Sequence, residues 1–193
     1  MLELAKLEQI IFIPAGKPPH RDTPQVSAQH RSAMVQLAIA DQSAFVLDKR
    51  EVACNNKCYT LKTLRELRTE LGATQPLCLL MGGDAFLTLQ SWHEWEQLFT
   101  LAHIVVGFRP GYTLKERIHS ATEKLRNHYQ QRLCNTEELS NQPSGGIVEL
   151  AIPKLEISAT MIRNRTAENR SIRYLLPNPV ADYIHQHNLY ASC

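Results

Sequence analysis

No uninterrupted apolar run in these 193 residues approaches the length of a membrane span, and no secretory signal pattern opens the chain. Neither membrane insertion nor export is therefore expected. Cysteine is scarce: five residues, odd in number and irregularly spaced, fit a reduced cytoplasm better than a disulfide framework. Cys54-Asn55-Asn56-Lys57-Cys58 has no second Cys/His pair at finger-like spacing, so no structural metal is expected. An excess of one charge is also missing. The formal balance is only +2 and the basic residues are scattered, which gives no footing for a nucleic-acid partner. No internal repeat or linker is evident.

What is present suits one α/β domain spanning 1–193. Gln9 to Pro14 and Pro76 to Met81 read as buried strands, Ala102 to Phe108 as another, and Ala44 to Val52 as a strand toward a sheet edge. Helices are expected from Ser27 to Ala40 or Asp41, and along Leu61, Leu64, Leu67 and Leu71 with Gly72 as the stop. Phe86 to Leu101 reads as helical with a break near Ser91, Thr113 to Leu133 as a charged amphipathic helix, either continuous or interrupted, and Asn178-Pro179 as the start of the last helix. Asn135 to Gly146 is a polar loop.

Ile157-Ser158-Ala159-Thr160-Met161-Ile162-Arg163 follows an apolar run and opens a helical pattern. A helix N-terminus offers unpaired N–H groups and partial positive charge, which favour phosphate. Ser158 and Thr160 add hydroxyls and Arg163 a cationic fork, although Ser and Thr cap most kinds of helix. Gly82-Gly83-Asp84 stands at the carboxyl end of a predicted buried strand, where open α/β sheets bind ligands; a plain turn with Asp84 as cap is the alternative. Trp92 and Trp95 are three apart and would share a helix face, Trp95 in the core and Trp92 as a stacking platform. Pro18-Pro19-His20-Arg21 is a stiff loop with two potential cations, and Arg109 ends a strand. Ala15-Gly16-Lys17 is no Walker loop, since Ile11 and Pro18 stand where that motif needs Gly and Ser or Thr.

The I-S-x-T-x-I-R segment resembles the signature of the nucleotidyltransferase superfamily. The order of Ile11-Phe12-Ile13-Pro14, Pro18 to Arg21, Gln29-His30-Arg31, Cys58-Tyr59-Thr60, Met81 to Asp84, Ser91 to Trp95, Arg109-Pro110-Gly111-Tyr112 and Leu175-Leu176-Pro177 is similar to the bacterial nicotinate-nucleotide adenylyltransferases. The resemblance implies a Rossmann-like, doubly wound parallel sheet and adenylyl transfer from ATP to nicotinate mononucleotide in NAD synthesis. It implies Mg²⁺ travelling with ATP. Gly82, Asp84, Ser158, Thr160 and Arg163 would bind ATP, while His20, Arg21, Tyr59, Thr60, Trp92 and Arg109 would bind the mononucleotide. His93 stands where that family commonly has Tyr.

That family also begins with a strand and a Gly-rich turn ending in H-x-G-H, which occurs nowhere in these residues. Met1 to Leu7 resembles the last turns of its first helix, so the expectation is an incomplete N-terminus lacking roughly 25 residues, most of one strand–turn–helix unit. The central strand of a 3-2-1-4-5 sheet would be missing with it, exposing backbone edges on both sides. The alternative is a non-catalytic nucleotide-binding remnant. A homo-oligomer stays open.

Overall fold

The computed structural model describes residues 1–16, 25–54, 56–108, 114–153 and 155–191. They form two compact units, one of Met1–Glu8 with Tyr59–Lys154, the other of Gln9–Cys58 with Leu155–Cys193. In chain order the elements are β1 (Ile10–Phe12), α1 (Ala28–Ala38), β2 (Phe45–Leu47), α2 (Arg50–Ala53), α3 (Thr60–Leu71), β3 (Cys78–Gly82), α4 (Gly83–Leu87), α5 (Leu98–Leu101), β4 (His103–Phe108), α6 (Leu114–Arg117), α7 (Glu123–Arg132), β5 (Ile147–Ala151), α8 (Ala159–Ala167) and α9 (Asn178–Gln186). Strands alternate with helices, and every strand pair is parallel.

In the first unit β3, β4 and β5 pair in that order, with Leu80 opposite Val105 and Val105 opposite Val148. The middle strand is buried from His103 to Gly107. Its run of β-branched residues is what a parallel strand covered on both faces requires. Val105, Val148 and Leu150 pack on Ala5 and Leu139. Met1 to Leu7 forms a turn with helix-end geometry: the Leu7 N–H reaches the Leu2 carbonyl at 2.9 Å, with Lys6 at φ 51°. Helix α3 buries Leu61, Leu64 and Leu67 along one face and stops at Gly72, whose φ of 84° favours glycine. Arg68, on the last turn of α3, donates to the carbonyls of Leu101, Gly72, Gln75 and Pro143, tying that helix to α5 and to the segment before β5.

His103 begins β4 at 2% exposure. Its Nδ1 accepts the Gly146 N–H at 2.9 Å, which leaves Nε2 to donate to the Gln142 carbonyl at 2.8 Å. Burial pushes this imidazole's pKa down; the Gln142 carbonyl opposes the shift and Arg68 adds to it. His128 is also pushed down by burial, with Arg132 adding to the shift. A folded pKa below the unfolded value means that the unfolded chain takes up the proton more readily. Stability from these groups is therefore full above about pH 6.5, the unfolded value, and falls as pH drops through it. The urea midpoint is expected to be lower at pH 5.5 than at 7.5, with a smaller difference in His103→Gln. An equal midpoint at both pH values would contradict this. Asp48, Glu96 and Glu137, whose pKa values are lowered, weaken stability only at more acidic pH.

In the second unit β1 pairs with β2, Ile10 opposite Phe45. Helices α1 and α9 pack through a core of Val26, Ile172, Val180, Ala181, Ile184 and Leu189, with Met34, Leu37 and Ile162 against it. Among the described residues nothing pairs with the second edge of β1 or of β3.

Two sequence expectations are corrected and one is narrowed. The strand read from Ala44 to Val52 ends at Leu47, because Asp48 accepts the Arg50 N–H at 2.8 Å and pairs with its guanidinium, turning the chain into α2. Of the two forms left open for the Thr113–Leu133 helix, the interrupted one holds: it breaks after Ser120, and Thr122 caps α7. The loop from Asn135 to Gly146 contains a short 3₁₀ helix, Thr136–Ser140, closed by a capping box between Asn135 and Glu138.

Candidate active site

Gly82 ends β3 and Gly83 opens α4, so this turn projects from the carboxyl end of a strand. A Cβ built on either glycine meets no atom within 4 Å. Packing therefore does not demand glycine here, and neither residue has a positive φ. What the two glycines provide is open backbone. Gly82→Ala is expected to change stability by no more than about 0.5 kcal/mol while weakening ATP binding. Unfolding and ATP titrations test this, and unchanged ATP affinity would remove Gly82 from the site.

Asp84 does not cap α4; Gly82 holds that position without a side-chain bond. The Asp84 carboxylate is exposed and pairs with Arg117 Nη1 at 2.7 Å. Sequence reasoning missed Arg117, which lies 33 positions away with no periodic signal linking the two. Asp84 keeps a second oxygen for a hydroxyl donor, and Arg117 places a cation beside it.

Tyr59 occupies the N-cap position of α3 with no side-chain cap, and Thr60 is the first helical residue. The Tyr59 ring lies 4.7 Å from that of His93, so the start of α3 and the 91–95 turn meet. His93 Nε2 is 2.9 Å from Glu94 Oε1. Glu94 has φ 48°, so the chain reverses there and the two tryptophans do not share a helix face, which corrects the sequence reading. Trp95 is buried, 6.2 Å from the Phe99 ring and 4.9 Å from His128, while Trp92 is half-buried. The core role expected for Trp95 holds.

In the second unit Ser158 caps α8, its hydroxyl accepting the Met161 N–H at 3.1 Å. Thr160, one turn before Arg163, accepts from that guanidinium at 3.0 Å. Ser158 and Thr160 are exposed and Arg163 is half-buried. No carboxylate among the described residues forms an ion pair with Arg163. Exposed hydroxyls, a helix N-terminus and a cation without a carboxylate partner form a donor set for phosphate oxygens. Arg163 also lines a cleft of about 560 Å³ with Ser27, His30, Asn164, Asn188 and Tyr190. Burial pushes the Tyr190 phenol up, and the positive fields of Arg163 and Arg31 oppose this. His20, Arg21 and Arg109 lie outside the described residues.

The cytidylyltransferase-like family model matches residues 1–165. A Dechloromonas aromatica protein named probable nicotinate-nucleotide adenylyltransferase is 47% identical over 182 residues, covering 94% of this chain and 83% of its own length. The nicotinate-nucleotide adenylyltransferase of an Escherichia coli O6:H1 strain is 40% identical, covering 98% of this chain and 88% of its own. The solved structure of Plasmodium falciparum nicotinic acid mononucleotide adenylyltransferase complexed with NaAD superimposes with a TM-score of 0.68 at 18% identity, over 98% of this chain and 88% of that one. That structure supports the fold alone, a Rossmann-like nucleotidyltransferase fold. With such identity to full-length relatives, the chain belongs to the nicotinate-nucleotide adenylyltransferase family.

Proposed function

We propose that this chain transfers the adenylyl group of ATP to nicotinate mononucleotide, releasing pyrophosphate and forming nicotinate adenine dinucleotide. The mononucleotide phosphate oxygen attacks the α-phosphorus of ATP, and the bond to the bridging oxygen of pyrophosphate breaks. The attacking phosphate is already ionised, so no protein base is needed; orientation and charge stabilisation carry the rate. Ser158, Thr160 and Arg163 hold the triphosphate, and the observation that carries this reading is the two exposed hydroxyls at the start of α8 with Arg163 bonded to Thr160 and, among the described residues, in no ion pair. The open backbone of Gly82 and the carboxylate of Asp84 take the adenosine. Trp92 stacks on the pyridine ring beside the start of α3, where Tyr59 and Thr60 stand. His20, Arg21 and Arg109 meet the mononucleotide phosphate.

Among the described residues no group of three or more His, Cys, Asp or Glu side chains is placed to cage a metal ion. Mg²⁺ keeps several waters and readily takes phosphate oxygens as ligands, so the donor set here suits an ion carried in on the triphosphate. Such an ion would supply neutralising charge to the departing pyrophosphate, with Ser158, Thr160 and Arg163 holding the triphosphate that carries it. No helix among the described residues is long and apolar enough to cross a membrane, and we place the reaction in the cytoplasm.

Acceptor competition tests this reading. With ATP and equal nicotinate mononucleotide, nicotinamide mononucleotide and pantetheine phosphate, the nicotinate dinucleotide is expected to dominate the products. Preference for either other acceptor would overturn the assignment of the acceptor site.

A further inference from the structure

Glu94, in the first unit, sits in the left-handed region at φ 48° and ψ 40°. A residue with a Cβ adopts that backbone only at a cost in free energy, and strained positions concentrate where a group is held for function. Its carboxylate is held from three sides. His93 Nε2 lies 2.9 Å from Oε1, and a carboxylate only accepts, so that nitrogen carries the hydrogen. Oε2 takes the side-chain amide of Gln97 and lies 3.5 Å from Arg65 Nη2. Arg65 stands on α3 and also donates to Gln97 Oε1 at 2.5 Å, which closes the ring of contacts. The turn touches the start of α3 a second time, through the rings of His93 and Tyr59. Its backbone is tied at both ends: the Trp92 N–H donates to the Leu89 carbonyl and the Gln97 N–H to that of Glu94, each at 2.9 Å. Leu89, Trp95 and Leu98 are buried on either side, whereas Trp92 is half-buried and His93 exposed.

We propose that Glu94 is a positioning residue: held by Arg65, His93 and Gln97, its carboxylate fastens the 91–95 turn to α3 and so aims the Trp92 ring at the pyridine of the acceptor mononucleotide. This rests on the reading that Trp92 stacks on that pyridine. The side chains of Arg65, Glu94 and His93 are 52%, 39% and 51% exposed, and ion pairs in such surroundings add little to stability. Three contacts on one carboxylate still select one backbone arrangement among others of similar stability. The effect is therefore expected on binding rather than on folding.

The test uses the full chain and two probes, nicotinate mononucleotide and ATP, each titrated by calorimetry. Glu94→Gly keeps the left-handed backbone without a Cβ and removes all three contacts. It is expected to weaken mononucleotide binding by about tenfold, a size that displacement of a binding group can produce, with ATP affinity within about threefold. The melting temperature should stay within about 4 °C, the shift that a small change in stability gives a chain of this size. Glu94→Gln, which keeps one acceptor oxygen, should recover part of the loss. With only two tryptophans in the protein, the Trp92 indole N–H is resolved by NMR, and its heteronuclear NOE should fall in Glu94→Gly while that of Trp95 holds. Undiminished mononucleotide affinity in Glu94→Gly would overturn the proposal. Equal loss of both ligands with a lower melting temperature would also overturn it, because Glu94 would then serve stability alone. Trp92→Ala separates the proposal from the reading beneath it. If Trp92→Ala binds the mononucleotide normally, Trp92 leaves the acceptor site and the proposal falls with it; if it binds weakly while Glu94→Gly binds normally, the proposal alone falls. If the unaltered chain binds neither ligand, the proposed function fails, and an unchanged Trp92 NOE in Glu94→Gly refutes the fastening of the turn as well.

Discussion

Arg163→Ala is expected to weaken ATP binding by one to two orders of magnitude, the range of a lost charge-assisted hydrogen bond of about 1.5–3 kcal/mol. Folding should barely notice. The guanidinium bonds Thr160 one turn away on its own helix, and no carboxylate among the described residues forms an ion pair with it. Its removal leaves no buried anion behind. Isothermal titration with ATP, paired with a thermal melt, separates the two effects. Thr160→Ala should weaken ATP less, since a neutral hydroxyl contributes less than a cation at phosphate. An Arg163→Ala chain that binds ATP normally would remove α8 from the phosphate site.

Arg68→Ala should behave in the opposite way, destabilising the fold by about 3 kcal/mol with little direct effect on ligand contacts. Its guanidinium donates to four backbone carbonyls, those of Leu101, Gly72, Gln75 and Pro143. These lie at the ends of α3 and α5 and before β5, where helix carbonyls lack intrahelical partners. Burial lowers the pKa of this arginine, which still leaves it charged. Truncation would leave the half-buried carbonyls of Leu101 and Pro143 without this donor, while those of Gly72 and Gln75 can turn to water. Arg68→Lys offers three donors on one atom and cannot span four acceptors, so it should recover only part of the loss. Urea unfolding of the three proteins checks this, and a change below about 0.5 kcal/mol in Arg68→Ala would reduce the network to surface contacts.

Features encoded locally could be read directly from the sequence. The run His103-Ile-Val-Val-Gly-Phe could be little but a buried strand, the leucine spacing of α3 specified its inner face, and Ser158 was legible as a helix start whether or not phosphate binds there. Errors came where one side chain redirects the backbone. Asp48 capturing the Arg50 N–H cut a strand short, and Glu94 in the left-handed region separated two tryptophans that a continuous helix would have aligned. Long-range partners were invisible for another reason. Arg117 with Asp84, and Arg68 with Pro143, are joined only by the folded path of the chain.

The most direct measurement incubates the full chain with ATP, Mg²⁺ and nicotinate mononucleotide, then quantifies nicotinate adenine dinucleotide and pyrophosphate together. Equal amounts of both, rising with time and abolished by omitting the mononucleotide, are expected of an adenylyltransferase. Calorimetric binding of both nucleotides with no dinucleotide formed would contradict catalysis and leave a chain that binds nucleotides without joining them.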